Sequence, residues 1–201
     1  MKLRVTDLES LRYWKDSEDS TVEDLVARLQ HKNEPTPQMR AGTALSKLLE
    51  HASERSFDVV EQDGWEFRFA LDTAIDWPAG RELEGELHFV TPHGQVFLTG
   101  HCDAVGGEVR DAKLTERIDA EKYIDSLQWR AYLAMFGAKR FVYDLFLARY
   151  EKKNDVPTGK VTIVEHHAVA FYAYPEMRAD VERAVCELAE VVTRLGIQRA
   201  A

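Results

Sequence analysis

The stretch VFLTGHCDAVGGEVRDAKLT, Val96 to Thr115, decides how this chain is read. An apolar strand ends on Asp103, turns through Gly106-Gly107 and returns carrying Asp111-Ala-Lys113. Carboxylates drawn into a half-buried sheet are costly unless something compensates their charge. A metal ion, a salt bridge or plain exposure to water would each do so. In a strand alternate side chains share a face, so Asp111 and Lys113 point the same way as Val109. A hairpin at the glycines brings Asp103 close to Asp111. Two neighbouring carboxylates repel, and one is driven toward its protonated form unless a cation intervenes. Mg²⁺ suits such a pair, since it takes one or two carboxylates, keeps waters and also binds phosphate. A protonated lysine beside it cannot ligate. It can hold an attacking water or offset the charge that grows on a phosphate in the transition state. Asp, Asp and Lys together are therefore coherent with metal-assisted phosphodiester hydrolysis.

Outward from this stretch the chain alternates clearly. Asp63-Gly64 is a strong hairpin signal inside FDVVEQDGWEFRFAL, and ELHFVTPHGQVFLTGHCD repeats the pattern around His93-Gly94. RFVYDLFLARY and KVTIVEHHAVAFYAY read as two more strands. Val22, Leu25, Val26 and Leu29 recur at helical spacing behind Ser20/Thr21 as N-cap. A second helix is expected from about Met39 to Ala52 on an Ala41, Leu45, Leu48, Ala52 stripe. A third is expected from about Ala120 to Gly137, capped by Asp119 with Ile118 stapled to Tyr123. The last begins at Pro175 and ends near Gly196, on Val181, Val185, Leu188, Val192 and Leu195. KDSEDS, KNEPTP, DWPAGRE and KKNDVPTG are the linker-like stretches, each too short to part domains. The order predicts an α+β (mixed α/β) fold, with helices packed on one central twisted mixed sheet. A single domain over 1–201 is expected, with 1–36 as an N-terminal helical arm.

Composition narrows the classes. Hydrophobic content of 45% and charged content of 30% fit an ordinary globular protein. A net charge of −9 excludes a histone-like polyanion binder but leaves room for a local basic groove. Cys102 and Cys186 stand far apart, which leaves no thiolate zinc site or disulfide framework. No leader-like opening and no run of 18 apolar residues occurs, so a cytoplasmic, membrane-free protein is expected.

The triplet alone is unspecific. With 35 acidic residues and ten lysines, chance yields about two acid-x-Lys triplets, and there are two, the other being Glu151-Lys152-Lys153. The ordered set carries more: a helix with Glu50, then Asp103, then Asp111-x-Lys113, then a QWRAY helix with Gln128 and Tyr132 four apart on one face. This order resembles the PD-(D/E)xK nuclease superfamily, with its closest likeness to the RecB-like and phage lambda-type exonuclease branch. The likeness runs from about Met39 to Phe146. It implies a restriction-endonuclease-like core and a DNA nuclease dependent on Mg²⁺ or Mn²⁺, with the QxxxY helix pointing to an exonuclease. By that resemblance Asp103 and Asp111 are metal ligands, joined by the Ala112 carbonyl and by Glu50. Lys113 is the catalytic lysine, and Gln128 and Tyr132 are the accessory pair. GTALSKLLE, Gly42 to Glu50, looks like the family's G-T-x-x-H-x-x-x-E helix. Ser46 stands where many RecB-like members carry a histidine, which puts a two-metal site in doubt, and Glu54 is a weaker substitute for Glu50. The setting implied is recombination, repair or phage DNA metabolism. DNA is the partner, and a homo-oligomer or a single-strand annealing or recombination protein is compatible with it. The rival reading is an inactive nuclease fold kept as a DNA- or protein-binding module.

Other residues carry less. His166 and His167 point to opposite faces of a strand and cannot chelate one metal together. His101 reads as a core histidine and Cys102 as core. Arg40, Lys47, Arg110, Arg130, Lys139-Arg140, Arg149 and Lys152-Lys153 are candidates for a basic track, with Trp129 and Tyr132 for stacking.

Overall fold

The computed structural model describes residues 1–51, 58–72 and 83–198. The expected DWPAGRE linker lies wholly outside them, as do Ala52 and Glu54. The chain runs β1 (Lys2–Arg4), α1 (Val5–Asp16), α2 (Val22–Leu29), α3 (Pro37–His51), β2 (Val59–Gln62), β3 (Trp65–Phe69), β4 (Leu83–Thr91), β5 (Gly94–Cys102), β6 (Ala104–Val105) and β7 (Val109–Thr115). A 3₁₀ turn (Glu121–Tyr123), α4 (Leu127–Phe136), β8 (Arg140–Lys153), β9 (Val156–Tyr172) and α5 (Met177–Arg194) follow.

The α+β class holds, but the single sheet does not. One sheet has the order β1-β5-β4 and the other β2-β3-β9-β8-β7-β6. Both mix parallel and antiparallel pairs. The chain crosses from one sheet to the other at a single residue, Asp103, between β5 and β6. There the Asp103 carboxylate accepts the Ala112 N–H of β7 at 2.6 Å, so a side chain occupies a main-chain donor at the crossing.

The six-stranded sheet is buried on both faces. Phe141, Tyr143 and Leu145 of β8 join Trp129, Tyr132 and Leu133 of α4 and the α5 stripe in the larger core. Phe146 and Ala148 join Ala41, Leu45 and Leu48 of α3 in a second one. Each leucine and phenylalanine among them contributes about 1.5–3 kcal/mol by leaving water. Leu3, Val5, Leu8 and Leu11 of β1 and α1, with Leu25 and Leu29 of α2, belong to the larger core, so segment 1–36 packs into the body.

Local chemistry explains the turns. Asp63-Gly64 and Asn154-Asp155 carry φ values of 51°, 79°, 52° and 63°, the left-handed pair that a two-residue hairpin needs. KKNDVPTG, expected as a linker, is therefore the tight turn joining two long strands. Gly100 permits a close approach, since a Cβ there would meet Tyr132 Cε1 at 2.6 Å. Among the described residues no helix is long and apolar enough to cross a membrane.

Candidate active site

Pairing of Ala104 with Arg110 and of Val105 with Val109 sets Asp103 opposite Asp111. Lys113, two residues on and on the same face, places Nζ 2.5 Å from Asp111 Oδ2. Asp111 is buried and Lys113 partly open, with 31% of its side chain exposed. Burial and the Asp111 charge together hold the Asp103 carboxyl up to about 7. Burial also raises Asp111, against the opposing pull of Lys113. For Lys113 burial acts downward, but the neighbouring Asp111 carboxylate more than offsets it and the ammonium is held above its usual value. Lys113 is thus a cation at neutral pH, fitted to electrostatic work rather than to proton abstraction.

The helix behind supplies the orientation. Gln128 Nε2 donates to Asp111 Oδ1 at 3.0 Å. The Tyr143 hydroxyl donates to Gln128 Oε1 at 3.3 Å and meets Ser126 Oγ at 2.9 Å. Gln128 is therefore held at both ends of its amide. Tyr132 departs from a simple site-facing residue: its ring is buried and stacks on Phe141, and only its hydroxyl reaches out, donating to the His101 carbonyl. Trp129 is buried against Phe171, so neither aromatic is open for base stacking.

The start of α4 differs from the expected Asp119 cap. Ser126 caps the helix, with its Oγ accepting from Gln128 N. The choice between these starts is made from far away. Glu9 Oε1 of α1 accepts from Ser126 Oγ at 2.9 Å, Leu127 N at 2.6 Å and Gln128 N at 3.0 Å. A carboxylate on the positive end of a helix is favourable, and here it also satisfies the otherwise orphaned Leu127 N–H and shares that of Gln128 with Ser126 Oγ. Glu9→Ala should accordingly lower stability by about 1–2 kcal/mol, read by urea denaturation. A change within experimental error would mean that water caps α4 equally well.

The remaining candidates sort as follows. Glu50 is half-buried on α3, and its charge is among those raising Asp103. It does not complete a cage: among the described residues no three His, Cys, Asp or Glu side chains converge. Ser46 is half-buried one turn earlier. Ala112 sits between the two site residues, with its N–H on Asp103. His101 is more than half exposed and 3.9 Å from Glu84, so it is not a core histidine. Cys102 is core, its thiol pushed up to about 12 by burial. His166 turns inward to Asp144 and His167 outward to Glu165.

The expected basic track is largely consumed within the protein. Lys47 pairs with Asp63, Lys152 with Glu116 and Arg140 with Glu108. Arg130 lies over Trp129 and donates to the carbonyls of Ile124, Asp125 and Ser126. Arg110 is buried against Asp144. Sequence reading missed Glu9 and Tyr143. Their bonds cross 117 and 15 residues, and no local pattern marks them.

No protein-family model matches the chain, and no curated protein does. Its fold is similar to the crystal structure of a phage-related exonuclease from Haemophilus somnus 129PT, at TM-score 0.55 and 12% identity, covering 97% of this chain and 95% of that one. It is also similar to the crystal structure of SSO0001, at TM-score 0.53 and 15% identity, covering 99% of this chain and 77% of that one. At such identities the likeness is one of fold.

Proposed function

We propose that the chain is a divalent-metal-dependent DNA nuclease, and within that class an exonuclease. The observation that carries the reading is the opposed pair Asp103 and Asp111, with the Lys113 ammonium against one and the Gln128 amide fixing the other. The likeness of fold to a phage-related exonuclease supports it. The donor set fits a hard divalent cation. Two carboxylates raised by burial, Asp103 also by the Asp111 charge and Asp111 also by the Asp144 charge, gain a counter-charge, and Mg²⁺ needs only one or two carboxylates with water completing its shell. Asp103, Asp111 and the Ala112 carbonyl would hold it, with Glu50 adding negative charge nearby. Such an ion supplies Lewis acidity and charge neutralisation at the phosphate.

The protein's own groups do the rest. Gln128 holds one oxygen of Asp111, which leaves Oδ2 to Lys113. Lys113, kept protonated, offsets negative charge as it develops on the phosphate. Digestion of end-labelled linear and of circular DNA, with Mg²⁺, Mn²⁺ or chelator, tests the assignment. Metal-dependent loss of label from linear DNA with circles intact is expected. No cleavage of any form under any metal would move the reading to the binding module, which Ser46 and the net charge of −9 favour.

The raised carboxyl makes a pH prediction. Between its ordinary value of 3.8 and about 7, Asp103 keeps a proton in the native state that the unfolded chain has lost. Stability from this group therefore falls as pH rises through that window. A cation that binds the ionised pair removes the penalty. The rise in melting temperature on adding Mn²⁺ should then be larger at about pH 8 than at about pH 5. Equal rises at both would place the ion elsewhere.

A further inference from the structure

Among the described residues, four of the nine cations that sequence reading nominated are held in ion pairs, and a separate set of three is not. Lys2, Arg4 and Lys32 make no ion pair with any described residue and surround a cavity of about 730 Å³ together with His31. Among the described residues no carboxylate lines it. Asp7, the acid nearest Arg4 in sequence, is 1% exposed, with Oδ2 on the Arg4 N–H and Oδ1 3.5 Å from His31. The cavity does not stand apart from the candidate site. Lys2 and Arg4 also line a second cavity of about 500 Å³, whose wall includes Gly100, His101 and Tyr132. The Tyr132 hydroxyl donates to the His101 carbonyl and lies 3.5 Å from Gln128 Nε2, which itself holds Asp111.

Register gives the scale. Lys2 pairs with Phe97 and Arg4 with Thr99, on the strand that runs directly into Asp103. At about 3.3 Å per residue, Arg4 lies roughly 13 Å and Lys2 roughly 20 Å back along β5 from Asp103. Both side chains project from one face of β1, about 7 Å apart, while Leu3 between them is buried in the core. That separation matches neighbouring phosphates of an extended strand. Glu84 and Glu86 occupy the same face two strands away, opposite His101 and Thr99, and Glu84 is engaged by His101. The β4 side of this surface is thus acidic and the β1 side basic, which confines a polyanion to the Lys2, Arg4, Lys32 side.

We propose that Lys2, Arg4 and Lys32 form a subsite for the phosphodiester backbone of the polynucleotide strand, several nucleotides from the bond that is cut. The proposal rests on the nuclease reading above and adds where the substrate runs. It accounts for how a chain of net charge −9 holds a polyanion: the attraction is local.

The test is fluorescence anisotropy with a labelled single strand of about twenty nucleotides, in chelator, across a salt series. Each phosphate contact on a single strand steepens the salt dependence by about 0.7. The combined variant Lys2→Ala, Arg4→Ala, Lys32→Ala should bind at least about tenfold more weakly at low salt, with a slope shallower by about two. Lys15→Ala, whose lysine pairs with Glu187, should match wild type. A strand of about two nucleotides cannot span 13 Å, so its affinity should change far less in the combined variant. Inorganic phosphate at matched ionic strength should not displace the long strand. If it does, the cavity is a site for a single anion and the backbone subsite is wrong. If wild type binds and cleaves but the combined variant keeps the same slope, the subsite falls and the nuclease reading stands. If wild type neither cleaves nor binds the strand, both fall together.

Discussion

Lys113→Ala is expected to fold, to keep its affinity for DNA, to bind Mn²⁺ more tightly than wild type, and to cleave at least about a hundredfold more slowly. A preorganised charge acts chiefly on the transition state, so its loss should appear in turnover rather than in substrate affinity. The structure adds a second signature. Lys113 neutralises a buried carboxylate at 2.5 Å, and its removal leaves Asp111 facing Asp103. Breaking a fully buried pair costs about 3–5 kcal/mol, but Lys113 is 31% exposed, and the screened figure is nearer about 1–2 kcal/mol. The variant should therefore melt earlier than wild type in chelator, and Mn²⁺ should restore most of the difference. Lys153→Ala, in the other acid-x-Lys triplet, should change neither melting nor cleavage. Active wild type with Lys113→Ala cleaving equally well would reduce Asp111-Ala-Lys113 to the chance triplet that composition allows.

Arg110→Ala should be the most destabilising single change near the site, lowering stability by about 3–5 kcal/mol in urea denaturation. Arg110 is 8% exposed and Asp144 fully buried. The guanidinium donates from Nε to Oδ2 at 2.8 Å and from the terminal nitrogen to Oδ1 at 2.5 Å, and His166 Nε2 lies 2.7 Å from that same oxygen. Truncating the arginine leaves Asp144 buried with the imidazole alone. Replacing both partners by apolar residues, as in Arg110→Met with Asp144→Leu, should be markedly less damaging than Arg110→Ala, because no charge is stranded. A loss below about 1 kcal/mol for the single change would mean that water already reaches Asp144.

Arg110 also shows why part of the molecule could not be read in advance. In sequence it is a cation beside the site, suited to a phosphate. The parallel register of β7 and β8 pairs Ala112 with Asp144, and this alone turns Arg110 inward. The same applies to Trp129 and Tyr132, whose burial depends on β8 and β9 passing beneath α4. What was legible was local. Asp63-Gly64 declares its hairpin, the α5 stripe declares its buried face, and two glycines between apolar strands bring Asp103 to Asp111. The helix α1 carries its own signal, Val5, Leu8 and Leu11 three apart, inside the segment expected as a helical arm. The cap that Glu9 places on α4 had none, because a single acid 117 residues away carries no periodicity.

The claim on which the rest depends is that Asp103 and Asp111 form one cation site. Titration calorimetry with Mn²⁺ on wild type and on the Asp103→Asn, Asp111→Asn variant addresses it without reference to activity. Binding by wild type and loss of that binding in the variant, with the fold retained by circular dichroism, is the result predicted. Mn²⁺ affinity that survives in the double variant would contradict it.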